Sequence, residues 1–164
     1  MASLGMAGNV QHAYSHNAAV EGDIELLVSR RRPRKSAEAV GLITVRPREF
    51  SADWRITYTI SRASAKRLYL LADKSLGQEF KIASTTVPIS SKSIVQPDEK
   101  TIPLSEELAQ RYNLWLLNLD HSSLGNVVID VHYERPVVDK SFGVPLARPV
   151  CGGEISEQLA VQAS

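Results

Sequence analysis

The stretch Asn113–Pro136, NLWLLNLDHSSLGNVVIDVHYERP, constrains the fold most. It holds two apolar runs, Leu114–Leu119 and Val127–Tyr133, separated by the polar segment Asp120–Asn126 with Gly125 and Asn126 at its end. That order predicts a β-hairpin with a longer loop. The first run is apolar on both faces, as in a strand covered on both sides. The second alternates: Val127, Ile129, Val131 and Tyr133 point one way, and Asp130, His132 and Glu134 point the other. Such a strand has one packed face and one wet or contacted face. Pro136 ends it, because proline cannot donate to a ladder.

The remaining periodicity agrees with a β fold. Asp53–Ser61 alternates most cleanly, with Trp54, Ile56, Tyr58 and Ile60 on one face and Arg55, Thr57 and Thr59 on the other. Asp23–Ser29 and Val40–Val45 read as a pair of short strands joined by a basic, proline-interrupted loop over Arg30–Ala39. Over Ser61–Gly77 the period changes. Leu68, Leu71, Ala72 and Ser75 fall at helical spacing, with Ser61 as a candidate N-cap and Gly77 past the end. This predicts a helix, with a strand over Lys66–Ala72 as the alternative reading. Glu79–Ser90 reads as a strand broken at Pro88, and Ser91–Lys100 as a polar loop. Ser105–Arg111 has a short helix signature, with Ser105 as N-cap and Glu106 and Glu107 in the first turn.

The sum is an all-β chain, an antiparallel β-sandwich of jelly-roll type, with one or two short helices in the connections. Its expected organisation is a flexible N-terminal arm over 1–19, a β-sandwich domain over 20–136 and an extended C-terminal tail over 137–164. The 164 residues suffice for one core without staples. The single cysteine, Cys151, excludes an internal disulfide. No apolar run reaches a membrane span, and the N-terminus has no secretion-signal pattern. The expected setting is cytoplasmic or a virion.

No catalytic constellation emerges, and the chain is expected not to be an enzyme. Asp120, His121 and Ser122 are triad residue types, but adjacent residues cannot make the ordered contacts of a triad. His12, His16, His121 and His132 are scattered, and no cofactor or metal motif is present. His132, between Asp130 and Glu134, is a candidate pH-sensitive contact.

Charge gives the one sharp signal. Between Leu26 and Arg67 stand eleven Lys/Arg and three acids, although the whole chain carries only +1. The cluster Arg30, Arg31, Arg32, Arg34 and Lys35, with Arg46 and Arg48 beyond it, has the residue types that hold phosphate oxygens through forked contacts and counterion release. Nothing in it points to sequence-specific reading. The expected partner is single-stranded RNA.

Val131-His132-Tyr133-Glu134-Arg135-Pro136 and the tail Asp139–Pro145 carry a resemblance. Residues 127–146 resemble the end of single jelly-roll coat proteins of small positive-strand RNA plant viruses of the bromovirus and cucumovirus group. Viral movement proteins of related core are a second likeness. The resemblance implies a structural protein that self-associates as a homo-oligomer and binds RNA without sequence preference. Those coats carry their basic arm at the extreme N-terminus, whereas here the arginines follow the first expected strand. The runner-up expectation is a cellular β-sandwich protein-interaction module without nucleic-acid binding. Its docking sites would be exposed sheet edges.

Overall fold

The computed structural model describes residues 31–78, 80–97, 102, 104–137 and 143–163. The expected arm over 1–19, the strand Asp23–Ser29 and Arg30 lie outside them. Among the described residues seven strands follow in chain order: β1 (Arg34–Val45), β2 (Glu49–Asp73), β3 (Lys81–Ser84), β4 (Ile89–Val95), β5 (Tyr112–Pro136), β6 (Ala147–Val150) and β7 (Ile155–Ala163). A 3₁₀ turn over Lys74–Leu76 follows β2, and the short helix α1 (Glu106–Arg111) precedes β5. The chain is all-β, as its alternation predicts.

Two strands of 25 residues each, β2 and β5, pair antiparallel along their whole lengths and form the spine. β1 lies beside the first half of β2 and β3 beside the second half of β5. β6 lies beside the second half of β2 and β4 beside the first half of β5. The single sheet is thus two half-sheets sharing a spine. Its main path runs β3-β5-β2-β1-β7. β1 and β7 are parallel, and the pairing does not by itself trace the two Greek keys of a jelly roll.

The hairpin expected within Asn113–Pro136 is therefore absent. Asp120–Asn126 is a corner that β5 crosses without reversing. Ile60 pairs with Gly125 and Arg67 with Asn118, while between them Ala65 pairs with Ser123. Each strand loops out extra residues there, β2 first and β5 second. Bulges of this kind bend a ladder and increase its twist. Positive φ values at Arg62 (69°) and Gly125 (91°) mark the corner. Polar residues suit it because it is exposed, which is also why it reads as a loop.

Bending the spine brings the two half-sheets over one core. Ile56, Tyr58, Ile60, Val127 and Ile129 from one half share a cluster with Leu68, Leu70, Leu117 and Leu119 from the other. Each of these is at most 1% exposed. Burying an aliphatic or aromatic side chain of this size contributes roughly 1.5–3 kcal/mol. Gly41 of β1 pairs with Trp54, and a Cβ at that position would meet the indole ring at 2.6 Å. The glycine is what lets the Trp54 ring lie across β1.

The helix expected over 61–77 is strand, the alternative held open for Lys66–Ala72. Leu68, Leu70 and Ala72 face the main core, and Leu71 faces a second cluster with Ile102, Tyr112 and Leu114. Residues covered on both sides make a continuous apolar run whose period is ambiguous. Only the 3₁₀ turn is helical, and Gly77 closes it by donating to the Lys74 carbonyl, 3.1 Å away. The α1 expectation holds: Ser105 Oγ accepts from the Leu108 amide at 3.4 Å. Leu104 and Leu108 pack on the second cluster, so the Leu114 face of β5 is covered.

The strand expected over Glu79–Ser90 is divided into β3 and the start of β4. The expected loop Ser91–Lys100 begins as strand through Val95. The C-terminal tail does not leave the sheet. β6 joins β2, and β7 joins β1 from Ala37↔Ile155 to Val45↔Ala163. Nothing in the tail's composition announces this, because all nine β7 residues remain exposed and carry no buried face.

Candidate functional site

Four cations converge at the corner. β1 opens with Arg34, which pairs with Ser61 of β2, so Arg34 stands next to Arg62 across the ladder. Arg62 sits at the positive-φ bend, where the chain turns toward the second half-sheet. Seven residues further along β2 comes Tyr69. Arg32, Arg34, Lys35, Arg62 and Tyr69 together line a cleft of about 520 Å³. Val150, Cys151 and Gly152, the exit of β6, form its far wall, with Ile102.

Each wall has a local cause. The Tyr58 hydroxyl, inside the core, donates to the Tyr69 carbonyl at 2.6 Å and fixes the backbone that carries the Tyr69 ring. Burial pushes the Tyr58 phenol far above its ordinary range, so it stays a donor. The far wall approaches because Gly153 has no side chain: a Cβ there would run into the Lys35 carbonyl. Cys151 is half-buried and its thiol is free.

Lys35 is the innermost cation. Its ammonium donates to the Arg67 carbonyl at 2.8 Å and lies 5.8 Å from the Tyr69 ring centroid, within cation–π reach. Burial lowers its pKa below the ordinary lysine value, and the nearby Cys151 opposes that effect.

Several arginines elsewhere are held by acids. Arg55 is paired with Asp130 at 2.9 Å, Arg46 with Glu49 at 2.8 Å and Arg148 with Glu157 at 2.6 Å. Among the described residues, no acid pairs with Arg32, Arg34 or Arg62. Among the described residues their charge is uncompensated, and all three are exposed at the cleft. Guanidinium groups are the type that can make forked contacts to phosphate oxygens.

The sequence-predicted set is therefore divided. Arg32, Arg34 and Lys35 line the cleft. Arg31 is exposed just before it. Arg30 lies outside the described residues. Arg46 and Arg48 stand at the other end of the β1–β2 hairpin, roughly 36 Å away for a strand of this length, and Arg46 is engaged by Glu49. The structure adds Arg62 and the aromatic wall of Tyr69. The expected loop over Arg30–Ala39 is strand from Arg34 onward, so Arg34 and Lys35 are held by a ladder.

The other sequence candidates sit elsewhere. His132 Nδ1 lies 2.7 Å from Asp53 Oδ1 and Nε2 lies 3.5 Å from Glu134 Oε1. They stand on the outer face of the first half-sheet, beside the Arg55–Asp130 pair. Asp120 and His121 are exposed at the corner, 3.9 Å apart, and Ser122 is exposed beside them. Among the described residues, no three metal-ligating side chains form a cluster, and no helix is long and apolar enough to cross a membrane.

No protein-family model matches the chain, and no curated protein matches its sequence.

Proposed function

We propose that this chain is a structural β-sandwich protein of the viral coat or movement type that self-associates and binds single-stranded RNA without sequence preference. The observation that carries the RNA part is the cleft: Arg32, Arg34 and Arg62, none paired with an acid among the described residues, converge around Lys35 and Tyr69. Guanidinium forks grip phosphate oxygens of any sequence. The aromatic ring offers a stacking surface to any base. Nothing in this set distinguishes one base edge from another. The likeness of residues 127–146 to viral coat proteins supports joining RNA binding to self-association, and with it a jelly-roll ancestry and a place in a virion or the cytoplasm.

The test is a salt titration of the affinity for a generic single-stranded RNA. Each phosphate contact to a single strand contributes about 0.7 to the slope of log K against log salt. Replacing Arg32, Arg34 and Arg62 together with Gln is expected to lower that slope by about 2. Replacing Arg46 and Arg48 is expected to leave it nearly unchanged. An equal loss from both sets, or from neither, removes the cleft from the reading.

A second reading, a cellular protein-interaction module, draws on the outer face of the first half-sheet. There Val40 and Leu42 are 44% and 40% exposed, beside the Arg55–Asp130 ion pair. On that reading RNA affinity is absent at low salt.

A further inference from the structure

We propose that this chain pairs with a second copy of itself through β7, edge to edge and antiparallel about Leu159. The inference supplies the surface for the self-association in the reading above and rests on that part of it.

Four strands end the two half-sheets, and three carry the usual protection against edge pairing. β3 is four residues long and bears Lys81, β4 bears Lys92 at its middle, and β6 is four residues long with Pro149. Short length, lysine and proline all discourage edge pairing. β7 has none of them. It is nine residues long, ISEQLAVQA, regular throughout and without lysine, proline or bulge. Its one charge, Glu157, is already held by the Arg148 guanidinium through bonds of 2.9 and 2.6 Å. Among the described residues, β1 is its only strand neighbour.

The ladder shows which backbone groups remain open. The Ala37 amide donates to the Glu154 carbonyl at 2.9 Å. In a parallel ladder alternate residues turn their backbone groups to the neighbour. Glu154, Ser156, Gln158, Ala160 and Gln162 therefore face β1. Ile155, Glu157, Leu159, Val161 and Ala163 present their N–H and C=O groups outward.

That outward set is self-complementary. An antiparallel copy centred on Leu159 places Leu159 opposite Leu159 of the other chain, Glu157 opposite Val161, and Ile155 opposite Ala163. Every outward residue meets an outward residue, each pair exchanging both hydrogen bonds. The same residues carry the exposed apolar side chains, with Ile155 40%, Leu159 52% and Val161 68% exposed. Pairing brings them together on one face across a two-fold axis, as an isologous interface requires.

Sedimentation velocity of the full chain without RNA, at micromolar concentration, tests this. The wild type is expected to sediment as a dimer. Leu159→Lys sets two like charges opposite each other, and its dissociation constant is expected to rise at least about tenfold. Val161→Lys, which removes similar apolar area but meets Glu157 of the other chain, is expected to remain dimeric. With Cys151→Ser as background, Leu159→Cys is expected to form a disulfide dimer, because paired residues of this class lie about 5.5 Å apart between Cα atoms. Far-UV spectra like the wild type's and an unchanged denaturant slope establish that the variants are folded.

A monomeric wild type overturns the proposal, as when another segment of the chain covers the edge. Equal loss in both lysine variants also overturns it and indicates unspecific apolar association. A Leu159→Lys dimer overturns it in favour of another face. Failure of the RNA reading is a separate result: the salt slope vanishes while these masses stay as expected.

Discussion

The Tyr58 hydroxyl donates to the Tyr69 carbonyl at 2.6 Å, joining the first half of β2 to its second half across the folded sheet. One buried bond thus closes the corner and sets the aromatic wall of the basic cleft. Tyr58→Phe keeps the ring's packing and leaves a carbonyl without its donor. The expected cost is about 1–3 kcal/mol of stability, read as a lower urea midpoint with an unchanged denaturant slope.

Gly41→Ala is expected to destabilise by about 1–3 kcal/mol, the usual cost of overfilling a packed core. The added methyl meets the Trp54 ring at 2.6 Å and forces it off β1. Trp54→Leu in the same chain is expected to relieve that clash, so the two changes cost less together than the sum of each alone. A double-mutant cycle in urea measures the coupling.

Lys35 makes stability depend on pH in a defined direction. Burial lowers its pKa in the folded chain, so below the ordinary lysine value the unfolded chain binds the proton more tightly. Stability then rises with pH as the folded amine loses its proton. The rise stops once the unfolded lysine also titrates, near pH 10.4. Wild type is expected to gain stability relative to Lys35→Met between pH 8 and pH 10, by urea midpoints at each pH. A gap that is flat over that range would show that Lys35 is fully solvated.

β7 is held by its ladder to β1 and by the Arg148–Glu157 pair, with no buried side chain. Arg148→Met is expected to speed amide exchange at Ser156 and Gln158 by up to about fivefold, the range of a partly exposed ion pair. Exchange in β5 should not change. Hydrogen-exchange mass spectrometry of the two segments checks both.

Where one face is buried and the other wet, the sequence was legible. Trp54, Ile56, Tyr58 and Ile60 alternate and are buried together, as are Val127, Ile129, Val131 and Tyr133. Ser105 caps its helix as its neighbours predict. Where both faces are covered, as at Leu68–Ala72, the period carries no information and helix and strand look alike. The corner was misread as a hairpin loop because an exposed bend and an exposed turn use the same residues. What separates them is β2, whose matching bulge lies some sixty positions earlier in the chain. The cleft was half legible: Arg32, Arg34 and Lys35 stand out as a run. Arg62 and Tyr69 join them only through the bend, and Cys151 only through the close approach of Gly153.

At the corner, Ile60↔Gly125 and Arg67↔Asn118 keep a common register although the ladder between them is broken twice. The two bulges cancel, so seven positions are spent on each strand. A segment that is exposed and polar normally accepts insertions and deletions freely. This one cannot, because losing a single residue from Ser61–Ser64 would invert one half-sheet against the other and turn Leu68 and Leu70 away from the main core. Within that corner, length should be fixed even where residue type is free, as if the surface had inherited the arithmetic of the core.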